Sequence, residues 1–118
     1  MIRITIPRKL PSQNDWSNKR GMGAKFAYTK ERNVWFALLR SSLVPRTPPA
    51  GHVNATICSY RTHLLDYGNL VGGAKPIPDC LKSLGYIKDD RPSLFTCTYT
   101  QVRCKPAEVR TTVTLEIP

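Results

Sequence analysis

Acidic residues are scarce in this chain, which has 8 Asp and Glu against 18 Lys and Arg and so a formal net charge of +10. No apolar run approaches the ~20 residues of a membrane-spanning helix, so no membrane span is expected. The first residues alternate like a strand and lack the apolar centre of a secretory signal peptide. The four cysteines show no CxxC spacing, which argues against a zinc site. These absences predict a protein of the reducing cytoplasm.

The basic residues are concentrated towards the N-terminal end. Residues 1–46 contain ten Lys or Arg and two acids, so +8 of the +10 lies there. This asymmetry favours a polyanionic partner, nucleic acid first, over a merely soluble basic surface. The polar segment 7–28 is long for a connector, which favours a binding role, with Trp16 either packing locally or stacking on a base. The residues that we expect to contact DNA are Arg8, Lys9, Asn14, Lys19, Arg20 and Lys25.

The spacing of apolar residues predicts one α+β domain with the order β-α-β-α-β-β and a mixed or antiparallel sheet. Strands are predicted at 2–6, 51–62, 94–104 and 108–117, and helices at about 30–43 and 76–84. Thr29 is the expected N-cap of the first helix, Pro76 suits the first turn of the second, and Gly85 is expected to end it. Val53, Ala55 and Ile57 alternate along the second strand and should share one face. The last two strands are separated only by Lys105-Pro106-Ala107, which predicts a hairpin.

Half of the acids lie within residues 65–90, at Asp66, Asp79, Asp89 and Asp90. Clustered carboxylates repel one another unless a cation lies between them. Mg²⁺ suits such hard oxygen ligands, because it takes one or two carboxylates together with phosphate oxygens and water. The end of the second strand and the start of the third could meet in space, which would bring Asp66 towards Asp90. Lys75 could then stabilise charge on a phosphodiester.

Each of these pieces also has an ordinary interpretation. Asp89 and Asp90 precede Arg91-Pro92, a pattern that is typical of a solvated turn. Lys75 and Asp79 are four residues apart, as in many helix surface pairs. Gly72-Gly73 would allow backbone to approach a phosphate, or would simply relieve a tight turn. Composition does not decide between these interpretations, so the order and spacing of the residues must.

The order of residues is specific in the centre of the chain. It reads Asp66-x-x-Asn69-Leu70-x-Gly72-Gly73-x-Lys75-Pro76-x-x-Asp79-x-Leu81, followed by Gly85-x-Ile87-x-Asp89-Asp90. This string resembles the RusA-type Holliday-junction resolvases, particularly their phage-borne branch. The layout of the remaining chain is similar, with Pro11-Ser12-x-Asn14 in a basic loop after the opening strand.

The resemblance implies a homodimer that depends on Mg²⁺ or Mn²⁺, uses no organic cofactor, and makes paired nicks at four-way junctions in DNA recombination and repair. It places the catalytic residues at Asp66, Lys75 and Asp90. It places the metal ligands at Asp66 and Asp90. We expect Asp89 or Asp79 to assist them. One departure stands out, because Gly68 occupies the second aspartate position of the family's Asp-x-Asp-Asn-Leu pattern.

Two other functions stay open at the level of sequence. A DNA-binding protein of the same fold could have lost cleavage through Gly68. A basic structural or ribosome-associated protein is the third possibility, but it leaves the acidic cluster unexplained. Metal-dependent nicking separates the first function from the second, and the cluster itself argues against the third.

Overall fold

The computed structural model of this protein describes residues 1–17 and 21–118, and within them the chain forms four strands and four α-helices. The strands are β1 (Ile2–Ile6), β2 (Val53–Arg61), β3 (Phe95–Arg103) and β4 (Arg110–Glu116). The helices are α1 (Asn14–Ser17), α2 (Met22–Arg40), α3 (Tyr67–Ala74) and α4 (Pro76–Leu84). A single 3₁₀ turn, Pro106–Glu108, precedes β4. The predicted α+β class is confirmed.

The sheet is mixed and has the strand order β1-β4-β2-β3. Strand β2 runs parallel to β3, with Val53 opposite Phe95, and β4 is antiparallel to both β1 and β2. The predicted hairpin is therefore wrong, because β4 pairs with β1 and β2 rather than with β3. The physical reason is burial: Thr111, Thr112 and Val113 of β4 are consecutive and all buried, as fits a strand with neighbours on both sides. Strand β3 lies at an edge and exposes Thr96, Thr98 and Thr100. A short connection alone does not reveal this difference.

Strand β2 shows the alternation that the sequence predicted. Val53, Ala55, Ile57 and Ser59 are all buried on one face, and Arg61 continues the same series. The helices cover this face, with Trp35 and Leu39 of α2 and Leu81 of α4 in the same core cluster. The strand therefore anchors the sheet to the helical layer.

Helix α2 begins at Met22 rather than near residue 30, so Thr29 lies inside the helix and does not cap it. Gly21, with φ 55°, precedes the first turn. The segment predicted as one long loop, 7–28, instead contains α1 and the first two turns of α2. Phe26 is 73% exposed, so these turns have no apolar stripe to mark them as helical. No helix in the described ranges is both long and apolar enough to cross a membrane.

Helix α3 was not predicted, because Gly72-Gly73 is typical of a loop. A Cβ atom on Gly73 would lie 1.8 Å from the carbonyl oxygen of Pro11, and one on Gly72 would lie 2.5 Å from the Gln13 side chain. The two glycines therefore leave room for residues 11–13 to pack against the helix, and they do not mark a turn. Helix α4 has the predicted bounds and ends at Gly85, whose φ of 86° favours glycine.

Candidate active site

A cavity of about 370 Å³ opens where helices α3 and α4 meet the edge strand β3. Lys75 lies at the junction of the two helices, Asp79 follows one turn later, and Asp90 comes from the loop before β3. The remaining walls are formed by Val71, Gly72, Pro78, Phe95, Cys97 and Tyr99. The fold thus brings the predicted lysine and two of the predicted carboxylates to one pocket, which is called the α3–α4 pocket below.

The backbone at the helix junction explains why Lys75 and Asp79 share this pocket. Lys75 has helical angles, φ −50° and ψ −37°, so α4 continues almost directly from α3. Pro76 has no N–H group, and the first turn of a helix tolerates that loss. The amide of Asp79 donates to the carbonyl of Lys75 at 3.4 Å. Residues four apart on a helix project from the same side, so both side chains reach the pocket.

Tyr28 of helix α2 contacts both of these residues. Its hydroxyl donates a hydrogen bond to the carboxylate of Asp79, and the Lys75 ammonium lies 4.6 Å from the centre of its ring. Burial, and then the hydrogen bond with Asp79, raise the pKa of Tyr28 above its ordinary value. Trp16 packs edge-on against the Tyr28 ring at 5.3 Å, so the predicted local packing of Trp16 is observed. Sequence reasoning missed Tyr28, because its segment was interpreted as a loop.

The wall formed by strand β3 is chemically neutral. Burial raises the pKa of the Cys97 thiol to about 11, and it also raises the pKa of Tyr99 above its ordinary value. Both groups therefore stay protonated at neutral pH, which leaves Asp79 and Asp90 as the acidic groups of the pocket. Tyr99 was not predicted as a site residue. The period-two alternation from Phe95 through Cys97 to Tyr99 was the signal that all three share one face.

Asp89 and Asp90 are neighbours with different surroundings. The Asp89 carboxylate pairs with Arg91 at 2.9 Å and with Lys82 at 3.3 Å. The hydrogen bond from Arg91, followed by those from the Asp90 backbone and Lys82, holds the pKa of Asp89 well below its usual range. Asp90 is exposed and reaches the pocket. The carboxylate of Asp89 is therefore already paired with two cations, and Asp90 is the better candidate ligand.

Asp66 occupies the N-cap position of helix α3 with extended backbone angles, φ −64° and ψ 154°. Its exposed carboxylate accepts a hydrogen bond from the side-chain amide of Asn69 at 2.6 Å. The preceding residue, Leu65, is held by the side chain of Gln101 through two hydrogen bonds of 3.0 and 2.7 Å. Asp66 does not line the α3–α4 pocket.

The predicted metal ligands do not form one cluster. Within residues 1–17 and 21–118, no group of three or more His, Cys, Asp or Glu is arranged to hold a metal ion. Asp79 and Asp90 share the pocket, whereas Asp66 caps α3 and Asp89 is occupied by its ion pairs. Mg²⁺ commonly takes one or two carboxylates and completes its shell with water and phosphate oxygens. The donor set is therefore compatible with Mg²⁺ only where the remaining ligands come from outside the protein, and it does not fit an all-protein metal cage.

The residues predicted to bind DNA are distributed over several elements rather than one loop. Lys9 is exposed before α1, Asn14 is exposed in α1, and Lys25 is exposed on α2. Arg8 is half-buried, pairs with Glu31 at 2.6 Å and lies 5.7 Å from the Trp35 ring, so its contacts are internal. The predictions for Lys19 and Arg20 lie outside the described residues.

No protein-family model matches this sequence, and no curated protein matches it either. The function has to be inferred from the α3–α4 pocket and from the charge of the protein around it. The pocket combines two acidic groups and one lysine within a chain of net charge +10.

Proposed function

We propose that this protein is a metal-dependent endodeoxyribonuclease that is selective for four-way DNA junctions. The observation that carries the proposal is the convergence of Lys75, Asp79 and Asp90 on one pocket of a strongly basic protein. A phosphodiester is negatively charged, so a pocket that acts on it needs positive charge to bind it and oxygen ligands for a divalent cation. The resemblance to RusA-type resolvases supports the junction as the substrate.

The roles follow from the surroundings of each group. Asp90 and Asp79 would hold Mg²⁺, for which Mn²⁺ can substitute; when bound, the metal supplies charge neutralisation at a phosphodiester oxygen. Lys75 would stabilise the negative charge that builds on the phosphate oxygens in the transition state. Asp66, the other catalytic carboxylate implied by the resemblance, presents its exposed side chain at the start of α3.

We further propose that the protein is a homodimer and that it acts in the cytoplasm. Two symmetric cuts in a four-way junction require two active sites, so a two-fold homodimer is the economical assembly. The net charge of +10 would draw the phosphate backbone to the protein, with exposed Lys9 and Lys25 as contacts. The protein would act in the cytoplasm, where its four cysteines would remain reduced. All four are free thiols.

A second candidate is a junction-binding protein of the same fold that does not cleave. Gly68 favours it, because a carboxylate is missing beside Asp66. Both candidates predict binding to junction DNA, and they differ only in whether Mg²⁺ produces nicks.

The deciding experiment incubates the protein with an end-labelled four-way junction and Mg²⁺, with a linear duplex of the same sequence as the control. Paired nicks in the junction, absent from the duplex, are expected. Asp90→Asn should abolish them, whereas Glu116→Gln, which removes an exposed carboxylate at the end of β4, should not. Junction binding without nicks at any Mg²⁺ concentration would support the second candidate. Equal binding to both DNAs would contradict both candidates.

A further inference from the structure

We propose that Tyr28 is a positioning residue of the α3–α4 pocket, whose ring places the ammonium of Lys75 and whose hydroxyl places the carboxylate of Asp79. The inference rests on the proposed nuclease function and deepens it. Tyr28 itself does not line the pocket, and it acts through two residues that do.

The contacts join two distant parts of the chain. Tyr28 and Asp79 are 51 positions apart, and the hydrogen bond between them links helix α2 to helix α4. The Lys75 Nζ atom lies 4.6 Å from the Tyr28 ring centroid, which is within the range of a cation–π interaction. One tyrosine thus contacts both the positive group of the pocket and one of its two carboxylates.

Positioning matters for a lysine in particular. Its ammonium is carried by a flexible four-carbon stem, so it does not hold one place without a partner. Lys75 is exposed and, in the described part of the chain, forms no direct ion pair with Asp79. The electron-rich face of the Tyr28 ring provides the partner instead. A misplacement of about 1 Å in a catalytic group can cost on the order of 10²-fold in rate.

The Tyr28 ring is itself held in place. Trp16 of α1 packs against it edge-on, with an interplanar angle of 77°. The hydroxyl bond to Asp79 fixes the opposite end of the side chain, because a hydrogen bond to a carboxylate is strong and directional. The pocket is therefore braced by the helices of the basic N-terminal region.

Two substitutions separate the two roles. Tyr28→Phe keeps the ring and removes the hydroxyl, so it should free Asp79 while Lys75 stays in place. Tyr28→Leu removes both contacts, and it should lower the nicking rate at saturating junction by about 10²-fold without weakening junction binding. In a Lys75→Ala background the ring has no ammonium to place, so only the loss of the hydroxyl matters. Tyr28→Phe and Tyr28→Leu should then reduce the nicking rate by the same factor.

The chain offers matched controls for both changes. Tyr60 carries Arg110 over its ring at 3.7 Å on strand β2, so Tyr60→Leu removes a comparable cation–π pair elsewhere. Tyr86 donates its hydroxyl to the Val44 carbonyl at 2.7 Å, so Tyr86→Phe removes a comparable hydrogen bond. Both controls should nick junctions at the parent rate. A loss in the controls equal to that in the Tyr28 variants would overturn the inference, because it would mark a general loss of stability.

A measurement without DNA tests the placement of Lys75 independently of activity. The ring current of Tyr28 should shift the NMR signals of the last methylene protons of Lys75 upfield in the parent and in Tyr28→Phe. The shift should disappear in Tyr28→Leu and persist in Tyr60→Leu. Unchanged Lys75 signals in Tyr28→Leu would overturn the inference, whatever the activity. If that variant does not fold, the parent alone decides: Lys75 methylene signals without an upfield shift would overturn the inference. A parent protein that shows the shift but nicks no DNA would contradict the nuclease proposal alone.

Discussion

The side-chain amide of Gln101 forms two hydrogen bonds with the backbone of Leu65, in the way that a neighbouring strand would. It accepts from the Leu65 amide at 3.0 Å and donates to the Leu65 carbonyl at 2.7 Å. Gln101 belongs to the edge strand β3, and Leu65 immediately precedes Asp66. This pairing ties the start of helix α3, and with it Asp66, to the sheet.

Replacing Gln101 by Met keeps the length of the side chain and removes both hydrogen bonds. We expect the free energy of unfolding to fall by about 1–3 kcal/mol, because each lost bond contributes about 0.5–1.5 kcal/mol. Urea denaturation measures this change. Thr98→Val, at an exposed position of the same strand, should stay within about 0.5 kcal/mol of the parent. Equal stability of Gln101→Met and the parent would show that the pairing does not hold Leu65 in solution.

Asp66→Asn removes a negative charge at nearly constant shape. Cleavage of the junction should be lost, while binding should be retained or become tighter, because one repulsion of the phosphate backbone is gone. A gel-shift assay and a nicking assay on the same junction give the two quantities. The catalytic assignment of Asp66 is wrong if the variant nicks at the parent rate.

Gly68→Asp tests the departure from the Asp-x-Asp-Asn-Leu pattern. Gly68 has no positive φ and lies in the first turn of α3. An acidic side chain at this end of a helix interacts favourably with the helix dipole. A Cβ atom there would be 3.7 Å from the Asp66 Oδ2 atom, so the new carboxylate would lie beside the existing one. Two adjacent carboxylates need a cation, so Mg²⁺ should raise the melting temperature more than in the parent. Gly68→Asn is the uncharged control, and an equal response of both variants would contradict the idea.

Two glycines of helix α3 should respond to alanine in opposite directions. In Gly73→Ala the new methyl group would meet the Pro11 carbonyl, so we expect a loss of about 1–3 kcal/mol in unfolding free energy. In Gly68→Ala the methyl group meets only the end of the Asp66 side chain, so a gain of roughly 0.5–1 kcal/mol is expected. Denaturation curves for the two variants decide whether the 11–13 segment packs on α3 as described.

The salt dependence of DNA binding tests the basic surface. Lys9→Ala combined with Lys25→Ala removes two exposed charges, and each lost phosphate contact should lower the slope of log K against log salt by about 0.9. Arg3→Ala combined with Arg40→Ala removes the same charge from exposed positions outside the predicted contact set. That control should keep a steeper slope. Equal slopes for the two double variants would mean that Lys9 and Lys25 are not specific phosphate contacts.

The sequence by itself determined what depends on local patterns. The alternation in β2 indicated its buried face, and Pro76 and Gly85 marked the ends of α4, because strand period and helix caps are properties of a few neighbouring residues. The basic character of the chain and the grouping of its acids were equally visible. The α+β class followed from these elements.

Tertiary structure decided the rest. Strand β4 lies between β1 and β2. Which strands become its neighbours depends on how the whole sheet packs, and no short stretch of sequence carries that information. Position 73 requires glycine because the Pro11 carbonyl approaches helix α3 there, although glycine pairs usually mark loops. Tyr28 reaches Asp79 across 51 positions of chain. Such contacts are each worth little and are selected together by packing, so they become visible only once the whole chain is folded.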